Sequence, residues 1–246
     1  MKIHRALCLA ALVSALYVMG CAARTSASVP APAPRPTQLP PPALPDADRD
    51  GLRVSGTLGH LDQEDVDEQL RGGLPEINRC YTEALRRRWF LGGRMELRLR
   101  VARDGRVREA AVVQSSLGCY DLERCILAVA EKLRFPPPQG GEAEISYPVA
   151  FPQRTNVPDW PQDRVAAQMA RRRTELSLCR ARQRGEPPPE LRVTMYIGPG
   201  GRVASAGLSA DGPISAQLGA CLVARALTWR FEDPLGQLVK ASYVLN

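Results

Sequence analysis

Residues 105–125, GRVREAAVVQSSLGCYDLERC, and residues 201–221, GRVASAGLSADGPISAQLGAC, are two versions of one stretch, and their correspondence decides the fold. Each opens on Gly-Arg-Val and reaches a Cys 20 residues after the Gly, at Cys125 and at Cys221. Working outward, Arg134-Phe135 answers Arg230-Phe231, the Phe standing 10 residues beyond the Cys in both halves. Tyr147 and Tyr243 follow 12 residues later. Upstream, Cys80 and Cys179 precede the Gly by 25 and 22 residues, which fits one trimmed loop. Self-similarity at this length marks a duplicated folding unit.

The periodicity inside each copy gives the order helix, strand, strand, helix, strand. Val66, Leu70, Leu74, Ile77, Tyr81 and Leu85 recur at helical steps. Gly72, Gly73 and Pro75 interrupt that stripe and predict a kink or restart near Leu74. The twin stripe, Val165, Met169, Arg173, Leu176 and Cys179, carries no breaker and predicts one unbroken helix. Met95, Leu97, Leu99 and Val101 alternate with charged residues as a half-buried strand, answered by Leu191, Val193, Met195 and Ile197. Asp104-Gly105 and Gly200-Gly201 read as hairpin turns. A second helix is expected on Leu122, Cys125, Ile126, Val129 and Leu133, and in the twin on Leu218, Cys221, Leu222, Arg225 and Trp229. Ala143, Ile145, Tyr147, Val149 and Phe151 form the last strand, matched by Val239, Ala241, Tyr243 and Leu245. The expectation is an α+β protein of two tandem αββαβ modules, each a three-stranded antiparallel sheet with two helices.

A module of about 85 residues has a marginal core, so a covalent staple is useful. Cys80 and Cys125 fall on the apolar stripes of one helix pair, Cys179 and Cys221 on those of the other. The reading is one helix-to-helix disulfide per module, each stabilising by roughly 4 kcal/mol through loop closure; the alternative is buried free thiols. Cys119 has no twin, Ser215 standing in its place, and is either a free thiol or an intermolecular bridge.

Lys2, Arg5 and the apolar run from Ala6 to Met19 read as an export signal, too short for a membrane span. It ends Val18-Met19-Gly20-Cys21, which resembles a bacterial lipobox and makes Cys21 the lipid site; secretory cleavage near Ala22 is the alternative. Ala22 and Ala23 lack the Asp of inner-membrane retention, favouring an outer-membrane lipoprotein facing the periplasm. Eight prolines between Pro30 and Pro45 mark an extended tether with a reach on the order of 70 Å. The expected organisation is signal 1–20, lipidated Cys and tether 21–50, first domain 51–153, linker 154–162 and second domain 163–246.

The net charge of +7 comes from 33 basic residues, of which only Lys2, Lys132 and Lys240 are lysine. Arginine preference of this kind fits a coding bias, and an exported chain meets little DNA, so nucleic acid is not an expected partner. Contact with anionic envelope polymers stays open.

Cys80-Tyr81, Asp104-Gly105-Arg106-Val107, Ser115-Ser116-Leu117-Gly118, Cys125, Arg134-Phe135-Pro136-Pro137-Pro138, Gly140-Gly141 and Tyr147-Pro148-Val149-Ala150-Phe151 resemble the AgmX/PglI C-terminal domain, a TonB-C-like module of envelope and gliding-motility proteins. The resemblance covers about residues 62–153; residues 163–246 resemble the same domain in degenerate form, without the Ser-Ser pair, the triple Pro or the Tyr-Pro end. It implies a non-enzymatic interaction module in an envelope or gliding-associated complex. It also implies a last strand at the sheet edge that pairs with an incoming strand. Pro148 is compatible with an edge, and Val244 at the aligned position leaves residues 239–245 every donor. Ile145, Tyr147, Val149, Val239, Ala241 and Tyr243 are therefore the candidate partner-binding positions, and an envelope protein or a second copy of the chain is the candidate partner.

Chemistry is sparse. Beyond the signal the chain holds one histidine, His60, which argues against triad catalysis. No metal-ligand spacing or cofactor motif is present. Gly198-Pro199-Gly200-Gly201 lacks the Lys of a phosphate loop and reads as a turn. Arg86-Arg87-Arg88 and Arg171-Arg172-Arg173 read as solvated faces. Ser115-Ser116 is expected to cap or shape the start of the next helix. Binding to peptidoglycan or lipopolysaccharide is the competing function.

Overall fold

The structure, a computed structural model, describes residues 53–55, 59–181 and 186–245. Module one runs β1 (Arg53–Ser55), α1 (Gln63–Arg87), β2 (Gly93–Val101), β3 (Val107–Ser115), α2 (Tyr120–Ala130) and β4 (Ala143–Phe151). Its sheet has the order β1-β4-β2-β3, antiparallel throughout. Module two runs α3 (Gln162–Ala170), α4 (Arg173–Ala181), β5 (Arg192–Ile197), β6 (Val203–Ser209), α5 (Ala216–Thr228) and β7 (Val239–Val244), with sheet order β6-β5-β7, again antiparallel. The chain is thus α+β, and both halves contain the helix, strand, strand, helix, strand run. Module one adds β1, so its sheet has four strands and not the expected three, and module two divides its first helix. The two modules belong to one compact unit.

The repeated landmarks have a common physical cause. Gly105 and Gly201 take left-handed φ values of 77° and 68° at the β2–β3 and β5–β6 turns. A Cβ there would lie 1.9 Å from the carbonyl oxygen of Phe135 in one module and of Phe231 in the other. Phe135 N–H donates to Gly105 O and Phe231 N–H to Gly201 O, both at 2.9 Å. Arg106 pairs with Arg134, and Arg202 with Arg230, as isolated bridges. Gly-Arg and Arg-Phe are therefore the two sides of one backbone clasp.

The cores follow the alternation. Val66, Leu70, Ile77 and Tyr81 of α1 and Leu122 and Ile126 of α2 cover Met95, Leu97, Leu99, Ile145, Tyr147 and Val149. In module two Val165, Met169, Leu218 and Leu222 cover Val193, Met195, Ile197, Val239 and Ala241. Disulfides Cys80–Cys125 and Cys179–Cys221 join helix to helix in each. Cys80 and Cys179 are buried, whereas Cys125 is exposed and Cys221 half-buried, so each bridge runs from the stripe to its flank.

Three readings need correction. First, α1 passes through Pro75 without a break. Pro75 is exposed, and the buried residues on either side, Leu70 and Ile77, hold the helix on one core. Second, the stripe without a breaker is the one that breaks, into α3 and α4. Arg172 lies over Trp229 and Phe231, 5.5 and 4.4 Å from the ring centroids. Its guanidinium donates to Gln168 O, the acceptor that its own amide would use in a continuous helix, and to Arg230 O. Its amide turns to Met169 O instead. Third, β4 is not a bare edge: β1 pairs with Glu144, Ile145 and Ser146.

Candidate functional site

Strand edges come first, because they can bind a partner through backbone alone. Ser116 N–H donates to Arg94 O, so Arg94 faces β3, and by alternation Met95, Leu97 and Leu99 face β4. Their partners Val149, Tyr147 and Ile145 direct N–H and C=O inward to β2 and bury their side chains in the core. The outward donors of β4 are those of Glu144 and Ser146, covered by β1, and of Ala150; Pro148 has none. Ile145, Tyr147 and Val149 are therefore core positions, not partner contacts. The Tyr147 hydroxyl is buried without a hydrogen-bond partner, and burial pushes it up to about 12.

In β7 the bond from Leu245 N–H to Leu191 O (2.6 Å) fixes the parity. Val239, Ala241 and Tyr243 face β5, which corrects their assignment to the open edge. Lys240, Ser242 and Val244 face outward. The linker covers the first of these: Lys240 N–H donates to Pro158 O and Trp160 N–H to Lys240 O, at 2.8 and 2.7 Å. The amides of Ser242 and Val244 have no backbone partner among the described residues, leaving a short open edge. Sequence alternation located this strand, but the covering segment at Pro158–Trp160 carries no periodic signal.

The second surface lies between the modules. The face of β5 and β6 turned away from the helices buries Thr194, Tyr196, Ser205 and Ser209, with Lys240 beside them. Thr194 Oγ1 donates to Ser115 O (3.0 Å), Ser205 Oγ to Gly118 O (2.7 Å), and Tyr196 OH and Lys240 Nζ to Gly92 O (both 3.2 Å). Ala210 N–H donates to Val112 O at 2.9 Å. Ser115 does not cap α2; its hydroxyl donates to Glu123 Oε1 and accepts from Leu117 N–H. Cys119 is buried in this interface and forms no disulfide, and burial pushes its thiol up.

Beside the interface a cleft of about 670 Å³ is lined by Arg94, Glu96 and Arg98 from β2 and by Glu190, Arg192 and Asp211 from module two. Arg98 pairs with Asp211 across the cleft and with Glu144 at 3.7 Å. Glu190 sits at a positive φ of 51°, held in a left-handed turn at the cleft wall.

Cys21 lies outside the described residues. His60 is exposed and tied through its backbone to Gln139, with bonds of 2.8 and 2.9 Å in the two directions. Gly198–Gly201 forms a turn, Gly201 N–H donating to Gly198 O at 3.0 Å. Arg86 pairs with Glu83 on the exposed face of α1. Among the described residues no His, Cys, Asp and Glu group is arranged to hold a metal, and no helix is long and apolar enough to cross a membrane. Comparison of the chain with family models, with curated proteins and with solved structures finds no match.

Proposed function

We propose that this protein is a non-enzymatic interaction module of the cell envelope, tethered by a lipid on Cys21 to the outer membrane, with tandem TonB-C-like domains that capture a partner strand. The observation that carries this reading is the open stretch of β7, where the outward amides of Ser242 and Val244 stand at the end of a disulfide-braced sheet. An extended segment can add there by backbone bonding, continuing the pairing that Pro158–Trp160 begins. The disulfides fit a location outside the reducing cytoplasm. An envelope protein or a second copy of the chain supplies the incoming strand.

The test is crosslinking and pull-down from intact envelopes with Ser242→Pro and Val244→Pro. Val244→Pro removes an outward donor only, whereas Ser242→Pro also removes the hydroxyl paired with Thr194 Oγ1 at 2.9 Å. Capture is expected to fall at least tenfold in both, with a thermal midpoint shifted by no more than a few degrees in Val244→Pro. Ala241→Pro is the control: its amide serves β5, and the module should unfold. Capture that survives both outward substitutions overturns the edge reading. The mixed-charge cleft then favours the second reading, binding of an envelope polymer such as peptidoglycan or lipopolysaccharide. That binding should weaken steeply with salt, whereas strand pairing should not.

A further inference from the structure

Glu123 is only 1% exposed and stands where α2, β3 and β6 meet. Its Oε1 accepts from Ser115 Oγ at 2.7 Å, and its Oε2 accepts from Leu208 N–H of module two at 2.8 Å. This carboxyl thus bonds both modules at once. Gly207 makes room for it: a Cβ there would lie 2.4 Å from Oε1.

Among the described residues no cation pairs with the group. β6 brings no titratable side chain, its sequence from Val203 to Ser209 being uncharged. β3 presents Ser115, and its charged residues Arg108 and Glu109 pair elsewhere, with Glu142 and Arg100. From the end of α1, Arg88 is drawn to Asp121 and Cys119. On its own helix, Asp121 and Arg124 are exposed. Arg124 and Glu131 line a small hollow of about 100 Å³ alongside. Lys240, the buried cation of the interface, is engaged with Gly92 O and the Tyr196 ring.

We infer that Glu123 is a protonation-dependent latch: the modules dock tightly while its carboxyl is protonated and loosen as it ionises. A protonated carboxyl keeps both bonds, its O–H donating to Ser115 Oγ and its other oxygen accepting from Leu208 N–H. Ionisation leaves those contacts in place but strands an unpaired charge in a dry interface, which undocking would hydrate.

Burial accordingly pushes the Glu123 carboxyl up from 4.5 to about 7, only partly offset by bonds from Ser115, Leu208 and the Cys119 amide. Cys119 and Tyr120, the titratable groups nearest in charge interaction, are themselves pushed up by burial and stay neutral as Glu123 titrates. The docked state therefore binds more protons than the undocked one between those two values. Docking is strongest below about pH 4.5, weakens as pH rises to about 7, and is level above that. Arg94 and Arg98 meet Glu190, Arg192 and Asp211 only when the modules are docked, so the same proton governs the cleft.

Hydrogen exchange at Leu208 and Ala210, whose amides cross the interface, tests this in the disulfide-intact chain. After correction for intrinsic exchange, their opening constants should rise up to roughly 300-fold between pH 4.5 and 8.5, the factor carried by a shift from 4.5 to about 7. The clasp amides of Phe135 and Phe231 should not follow. Glu123→Gln keeps both hydrogen bonds without the charge and should make the interface amides independent of pH. A wild type that is flat, or a Gln variant that parallels it, overturns the latch. Should the Gln variant not fold, carbon NMR of the Glu123 carboxyl decides: a midpoint near 7 supports the latch, and one near 4.5 overturns it.

Discussion

The two modules share one backbone plan but differ in the face of the sheet turned from their helices. In module one that face carries a charge ladder: Arg98 and Arg100 flank Glu144 at 3.7 Å each, and Arg100 also reaches Glu109 at 3.8 Å. In module two the same face is short, polar and buried: Thr194, Tyr196, Ser205, Ser209. A sheet face that mixes charges in alternation is built for water. One whose strand β6 alternates Ser205, Gly207 and Ser209 with no charge is built for a protein neighbour, here Ser115, Gly118 and Glu123. The face that carries paired charges in one copy is the docking seat in the other.

The largest expected effect tests how equal the copies remain. Their disulfides close loops of 45 and 42 residues, so chain entropy assigns each roughly 4 kcal/mol. Serine replacements at Cys80 and Cys125, or at Cys179 and Cys221, should cost about that much in urea unfolding. Module one, with the continuous α1 and a four-stranded sheet, should stay folded. Module two, with its first helix broken at Arg171–Arg172, should lose its near-ultraviolet dichroism from Trp160 and Trp229. Equal survival would show that docking, and not the disulfide, holds module two together.

Docking itself is the next target. Gly207 stands six residues after Gly201, where module one has Ala111 six after Gly105. Ala111 is buried without conflict, but a methyl at Gly207 would meet Glu123 Oε1 at 2.4 Å and the Cys119 amide at 2.6 Å. Gly207→Ala should cost on the order of 3 kcal/mol and split one unfolding transition into two. A single unshifted transition would mean that the modules are not coupled through this seat.

These cases mark what the residues revealed in advance. Gly105, Gly201, Phe135 and Phe231 were legible because a clasp repeated at fixed spacing survives divergence, and the strands were legible because their buried positions alternate. Both disulfide pairings followed from helix stripes within one module. The break in module two was not legible, since it depends on Arg172 meeting Trp229 and Phe231, far along the chain. Nor was β1, three residues with no room for alternation. The edge assignments missed because side-chain period places a strand on a sheet but does not say which amides face outward. Backbone bonds such as those at Ser116, Lys240 and Leu245 settle that parity. The buried face of module two did leave a signal, the absence of charge from Val203 to Ser209, but a single weak pattern is easily read as one more half-exposed strand.

The smallest expected effects concern the helices that carry the second Cys of each module. At the start of α5, Ser215 Oγ accepts from Leu218 N–H at 3.2 Å. The aligned residue before α2 is Cys119, which supplies no such oxygen, and α2 instead carries the exposed Asp121 in its first turn. One helix start thus rests on a short-range cap and the other partly on charge against the helix dipole. Ser215→Ala should cost about 1 kcal/mol, and Asp121→Asn only a few tenths, because Asp121 is largely exposed and its Arg88 partner lies at 3.5 Å. Salt separates the two causes. At about 0.5 M the Debye length falls to a few ångströms, so the Asp121 effect should vanish while the Ser215 effect persists. An Asp121 loss that resists salt would assign the start of α2 to a specific hydrogen bond and remove this difference between the modules.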